Sequence, residues 1–154
     1  KHNKELVIYI SMGFGNPYGD AFNEDIVFEW TQKISRLGVS IISLADTVGL
    51  ATTEQVESTT RHVIQSLPDI EVGVHLHSSP ENWRDKLDAA VKAGCMRFDG
   101  SLRGIGGCPM AGNTLVGNMQ TENMIDYFKE MNNDINLNIN QLKMCSVMAN
   151  RIFA

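Results

Sequence analysis

Four short apolar runs alternate along the chain with longer segments whose apolar residues recur three or four positions apart. The runs are Leu6–Ile10, Val39–Leu44, Val72–Leu76 and Met96–Phe98. Each is rich in β-branched or aromatic residues and bounded by Gly, Pro, Asp or Ser, which predicts strands rather than helices. From Asp25 to Leu37, the residues Ile26, Val27, Trp30, Ile34 and Leu37 recur at helical spacing. The segment Thr53–Ser66 opens on Thr-Thr-Glu, a helix-start signal, and carries Val56, Val63 and Ile64 on one side. Pro80–Ala93 has a proline near its first helical position and then presents Trp83, Leu87, Ala90 and Val91. Pro68 and Gly94 punctuate the ends of the second and third helical segments. Two more helices are predicted near Glu122–Glu130 and Gln141–Ile152, joined by an Asn-rich polar connector over 132–140.

The predicted order is therefore β-α-β-α-β-α-β, a loop, then two helices, with strands spaced roughly thirty residues apart as in βα units. That alternation calls for an α/β fold with a parallel sheet, either doubly wound or a (β/α) barrel. In both, ligands bind at the C-terminal ends of the strands. Ser11, Asp46, His75, His77 and Asp99 all fall at such ends.

Composition narrows the function classes. The 154 residues are 43% hydrophobic with a net charge of −5, and the 13 Lys and Arg are scattered. Neutralising phosphates would require a basic stripe, so nucleic acid is not expected as a partner. No run approaches the roughly 20 apolar residues that span a bilayer, and Lys1-His2-Asn3-Lys4-Glu5 lacks a signal-peptide layout. The expectation is an intracellular protein with no membrane partner. The three cysteines, Cys95, Cys108 and Cys145, have no zinc-ribbon spacing and read as reduced thiols. Cys95 and Cys145 are expected in the core.

The sharpest local chemistry is His75-Leu76-His77. Residues i and i+2 of a strand share a face, so both imidazoles project together as a natural pair of metal ligands; two polar residues at a solvated strand end is the plainer reading. Asp46, in Leu44-Ala45-Asp46-Thr47-Val48-Gly49, follows a buried strand; it can serve as ligand or base, or simply cap a turn. Asp99 has the same two readings. The loop Gly104-Ile105-Gly106-Gly107-Cys108-Pro109-Met110-Ala111-Gly112 is glycine-rich and centred on a cysteine. It suits a mobile lid carrying an accessible thiol, or an ordinary surface connector. Asn118 offers a carbonyl oxygen ligand, or a role beside a helix cap.

Taken in order, Ser43-Leu44-Ala45-Asp46-Thr47-Val48-Gly49, His75-Leu76-His77, Gly104-Ile105-Gly106-Gly107-Cys108-Pro109 and Gly117-Asn118-Met119-Gln120-Thr121-Glu122 resemble the hydroxymethylglutaryl-CoA lyases, within the aldol-type metallolyase barrels. The Gly-Gly-Cys-Pro loop discriminates best. The resemblance covers essentially the whole chain as one partial catalytic domain, residues 1–154. It implies the C-terminal half of a (β/α)8 TIM barrel, about four βα units (strands five to eight) plus closing helices; eight strands take about 250 residues. It implies cleavage of 3-hydroxy-3-methylglutaryl-CoA to acetyl-CoA and acetoacetate by a retro-Claisen step. His75, His77 and Asn118 would hold a divalent cation, Mg²⁺ or Mn²⁺ with Zn²⁺ also possible. Cys108, Asp46 and His75 would be catalytic, Ser43, Gly106 and Gly107 would contact substrate, and Glu122 would support the site from behind.

Two departures accompany the resemblance. The family's Asp-Arg-Glu-type motif, with a metal-binding aspartate and a catalytic arginine, is absent, so this chain alone is expected to be inactive. The Ser78-Ser79-Pro80 continuation replaces the acidic residue and glycine common after H-x-H, which leaves the substrate open. Isopropylmalate or homocitrate synthase-type barrels, or a half-barrel without catalysis, are the alternatives. The implied partners are an acyl-CoA substrate and either a second copy of the chain or the N-terminal half. The implied location is the cytoplasm, or the mitochondrial matrix in a eukaryote. An open half-barrel is also expected to expose an apolar face.

Overall fold

In the computed structural model, residues 4–107 and 116–153 are described. Four strands, β1 (Val7–Ile10), β2 (Ile41–Ala45), β3 (Glu71–His75) and β4 (Arg97–Asp99), form one parallel sheet in sequence order. Helices α1 (Glu24–Ser35), α2 (Thr53–Ser66) and α3 (Trp83–Lys92) make the three crossovers. A 3₁₀ turn (Leu102–Gly104) follows β4, and α4 (Thr121–Glu130) and α5 (Ile139–Phe153) complete the chain. The strand order never reverses, so the sheet has no switch point of the doubly wound kind.

Register separates the two faces of the sheet. Ile10, Leu44, Val74 and Phe98 lie side by side and join the core beneath the helices with Val27, Val56, Val63 and Leu87. One residue along each strand, the other face carries Tyr9, Ser43, Gly73 and Arg97, then Ala45, His75 and Asp99. The open face expected to be apolar is thus largely polar: Tyr9 donates to Asp99, Ser43 reaches Asp99, and Arg97 pairs with Glu71.

Local chemistry explains the boundaries. Asn23 caps α1, accepting from the Ile26 N–H at 2.9 Å. The signal read at Thr53 belongs to Thr52, which forms a capping box with Gln55. At the end of α3, Gly94 takes φ 95° and the N–H groups of Gly94 and Cys95 return to the carbonyls of Val91 and Ala90. This is the Schellman arrangement, and it requires a residue at ease with positive φ. Pro80 precedes α3 by three residues rather than standing at its first position, because Asn82 is the cap.

Three core expectations are corrected, and the first is Leu37, which is exposed beyond the end of α1. Trp30 is exposed, with the Lys33 ammonium over its ring, because Val27 and Thr31 are the buried residues of α1. Cys145 is exposed, because Ala149 is the buried residue of α5. Among the described residues, no helix is long and apolar enough to cross a membrane.

Candidate functional site

The strand ends converge on a shallow cleft lined by Tyr9, Ser11, Thr47, His75, His77 and Asn118, with Gly107 at its rim. His75 is the last residue of β3; His77 lies just beyond it, in an isolated antiparallel bridge with Asn118. Strand alternation persists across this step: Leu76 turns into the core while the imidazoles stand edge to face, ring centroids 5.4 Å apart. Tyr9 packs edge-on against His75 at 6.0 Å, and its hydroxyl donates to Asp99 Oδ2 at 2.7 Å. Partial burial, together with that acceptor, raises the phenol's pKa.

The donor atoms suit a divalent cation. His77 Nδ1 lies 3.0 Å from the Val116 carbonyl. A carbonyl only accepts, so Nδ1 carries the proton and Nε2 keeps a free lone pair, the arrangement that fixes a metal-binding histidine. Burial lowers the His77 pKa and nearby His75 adds to that effect, against the upward pull of the Val116 carbonyl. The neutral, ligating form is thereby favoured. Asn118 Nδ2 donates to the Ile105 carbonyl at 3.0 Å, and among the described residues no group donates to its Oδ1. Among the described residues, no group of three or more His, Cys, Asp or Glu could hold a metal. The residues in the cleft that could hold a cation are two imidazoles and one amide oxygen.

The glycine loop is shaped by close approach to Asn118. At Gly104 (φ 68°) a Cβ would lie 2.8 Å from the Asn118 carbonyl oxygen, and at Gly106 (φ 94°) 3.0 Å from Asn118 Nδ2. Gly107 and Gly117 then form an antiparallel bridge. Cys108, on which the thiol expectation rests, lies outside the described residues.

Glu122, at the start of α4, joins three elements. Its Oε2 accepts from the Arg103 N–H at 2.9 Å and its Oε1 from the Ser146 hydroxyl at 2.6 Å. Burial opposes ionisation, but these two donors, the Glu122 backbone N–H and the Arg103 charge together outweigh it and lower the carboxyl's pKa. Arg103 takes φ 59°, an uncommon conformation for a non-glycine residue. Ser43 is fully buried on β2, its hydroxyl 3.3 Å from Asp99 Oδ2, and does not line the cleft.

Asp46 also turns away from the cleft. Its Oδ2 is 2.7 Å from Lys86 Nζ and its Oδ1 accepts from the Ala51 N–H at 3.1 Å. Both carboxylate oxygens are thus engaged in the protein interior. The sequence reading passed over Lys86 and Tyr9. The signal for Lys86 lay in α3 itself, where it occupies the inward face beside Leu87 and Ala90.

The family model described as HMGL-like matches residues 6–149. The chain belongs to the HMGL-like family. It is 31% identical over 146 residues to the Bacillus subtilis hydroxymethylglutaryl-CoA lyase YngG, covering 95% of this chain and 48% of that protein. It is 33% identical over 121 residues to the (R)-citramalyl-CoA lyase of Chloroflexus aurantiacus, covering 79% and 38%. The crystal structure of the Bacillus subtilis HMG-CoA lyase superposes with a TM-score of 0.88 at 27% identity, over 98% of this chain and 50% of that one. The chain spans about half the length, or less, of these relatives. These relatives are carbon–carbon lyases by name, and the chain shares the α/β fold of the HMG-CoA lyase barrels.

Proposed function

We propose that this HMGL-like chain carries part of the active site of a divalent-cation-dependent lyase that cleaves a 3-hydroxy acyl-CoA. The observation that supports this most is the donor set: an imidazole pair whose second member is fixed in the Nδ1-protonated form, lining the same cleft as an amide whose oxygen accepts from no other described residue. The four strands take the places of strands five to eight of the barrel, an assignment supported by the order of their motifs. A cation held by His75, His77 and Asn118 would supply Lewis-acid stabilisation of the substrate hydroxyl as it loses its proton.

The substrate proposed first is 3-hydroxy-3-methylglutaryl-CoA. A base takes the hydroxyl proton, the C3–O bond becomes a carbonyl, the C2–C3 bond breaks, and its electron pair goes to the acetyl-CoA enolate. Cys108 returns a proton to that carbon, giving acetyl-CoA beside acetoacetate. His75 borders the reacting hydroxyl, and Gly106 and Gly107 allow the substrate close approach to backbone. Tyr9, steadied by Asp99, closes the far side of the cleft. The two imidazoles and one amide leave the transition-state charge incompletely matched, so turnover is proposed to need cationic and carboxylate groups beyond the described set.

A second reading keeps the chemistry and changes the acid. The (R)-citramalyl-CoA lyase relative and the Ser78-Ser79-Pro80 sequence beside the site favour a lyase for another branched hydroxy acyl-CoA; a panel of such thioesters separates the two. The experiment for the site is calorimetric titration with Mn²⁺. Saturable binding lost in both His75→Ala and His77→Ala, with folding retained, is the expected result. Binding that survives either substitution unchanged would sink the assignment.

A further inference from the structure

Lys86 is an α3 lysine buried to 3% exposure in a cluster outside the cleft. We propose that Lys86, together with Asp46, is a positioning residue that fixes the H-x-H segment for cation binding; this rests on the cation reading above. A lysine is seldom fully buried without a partner, and here all three ammonium protons have acceptors. Asp46 Oδ2 lies at 2.7 Å, the His77 carbonyl at 3.0 Å and the Gly49 carbonyl at 3.2 Å. Asp46 in turn donates its own N–H to the His75 carbonyl at 2.9 Å. The Lys86 ammonium thus holds the His77 carbonyl, and the backbone of its ion-pair partner Asp46 holds that of His75.

The need for such a hold follows from where β3 stops. The strand ladder secures His75 through its register with Ala45 and Asp99. His77 lies past the ladder, with one isolated bridge to Asn118. Lys86 grips it from α3, and the Val116 carbonyl holds its ring. An apolar side chain could fill this space without the cost of desolvating two charges. What the charged pair adds is direction, because the Lys86 ammonium ties the ends of β2 and β3 to one helix.

The test is the paired variant Asp46→Asn/Lys86→Met. Lys86→Met alone would strand a buried carboxylate; the pair removes both charges and keeps an acceptor for the Ala51 N–H. Three measurements are made on the same protein: thermal melting, Co²⁺ titration by calorimetry, and the ¹⁵N spectrum of the His77 ring. Expected is a cooperative melt, Co²⁺ affinity about 10–100-fold weaker, and a His77 ring that mixes tautomers. A folded pair variant with parental Co²⁺ affinity and an unchanged His77 spectrum overturns the proposal. If the parent takes up no Co²⁺ yet the variant still frees the ring, the cation reading falls and the positioning role is supported. A milder pair, Asp46→Asn/Lys86→Gln, covers failure of the first to fold, with the same expectation and the same refutation.

Discussion

Cys95 and Cys145 are the same side chain in opposite surroundings. Cys95 follows the glycine that ends α3, 1% exposed, with its thiol 3.2 Å from the Arg97 carbonyl. Burial pushes its pKa from 9.0 up to about 11. Cys145 stands exposed on α5. Iodoacetamide near neutral pH should therefore label Cys145 and spare Cys95, read by peptide mass spectrometry; equal labelling would contradict the structure. The pH consequence has a fixed sign. Between 9 and 11 the unfolded thiol has lost its proton and the folded one has kept it, so unfolding is favoured as pH rises. Urea unfolding should show this one group costing about 1 kcal/mol at pH 10 relative to pH 8. Cys95→Ala should remove that part of the slope, and an unchanged slope would refute the assignment. At this same scale, the H-x-H pair was visible from strand alternation, because periodicity needs no partner. The Asp46–Lys86 bond was not, because its halves stand on β2's following loop and on α3, and no local pattern brings them together.

At the scale of elements, helix ends were easier to read than helix faces. The signals at Thr52 and Gly94 act within a few residues, so sequence exposes them directly. Thr52→Ala removes the acceptor for the Gln55 N–H and should cost about 1 kcal/mol. Gly94→Ala forces a side chain into φ 95° and should cost about 1 kcal/mol as well. Both are measured by urea denaturation, and Trp30→Ala is the control, expected within about 0.5 kcal/mol of the parent. A large loss at Trp30 would show that its exposed position is wrong. Trp30 misled the sequence reading because its spacing fits an apolar stripe. Which side of α1 meets the sheet is decided by packing of Val27 and Thr31, not by spacing alone.

For the whole molecule, the decisive feature is an unclosed sheet. Among the described residues, β1 and β4 each lack a neighbour on one side, and unpaired edges are templates for association. The outer side of α5 adds the exposed apolar residues Met144, Val147, Met148 and Ile152. Sedimentation velocity on the chain alone should show species heavier than the 17.1 kDa monomer, growing with concentration. Val147→Glu/Met148→Glu should reduce association if the helix face drives it and leave it unchanged if the edges do. A single monomeric species across a wide concentration range would contradict the expectation.

The sequence by itself determined the alternation of strands and helices, the strand-end placement of His75 and its partner His77, and the motif order shared with the HMGL-like family. Those features are written in periods of two and 3.6 residues and in contiguous motifs, which act locally. Tertiary structure decided the rest. It placed Asn118 opposite His77 across 41 positions of sequence, turned Asp46 inward to Lys86, and set a polar layer of Tyr9, Ser43 and Asp99 on the sheet's open face. Each of these depends on which side chains a parallel register brings side by side, and that register exists only once the crossover helices have packed.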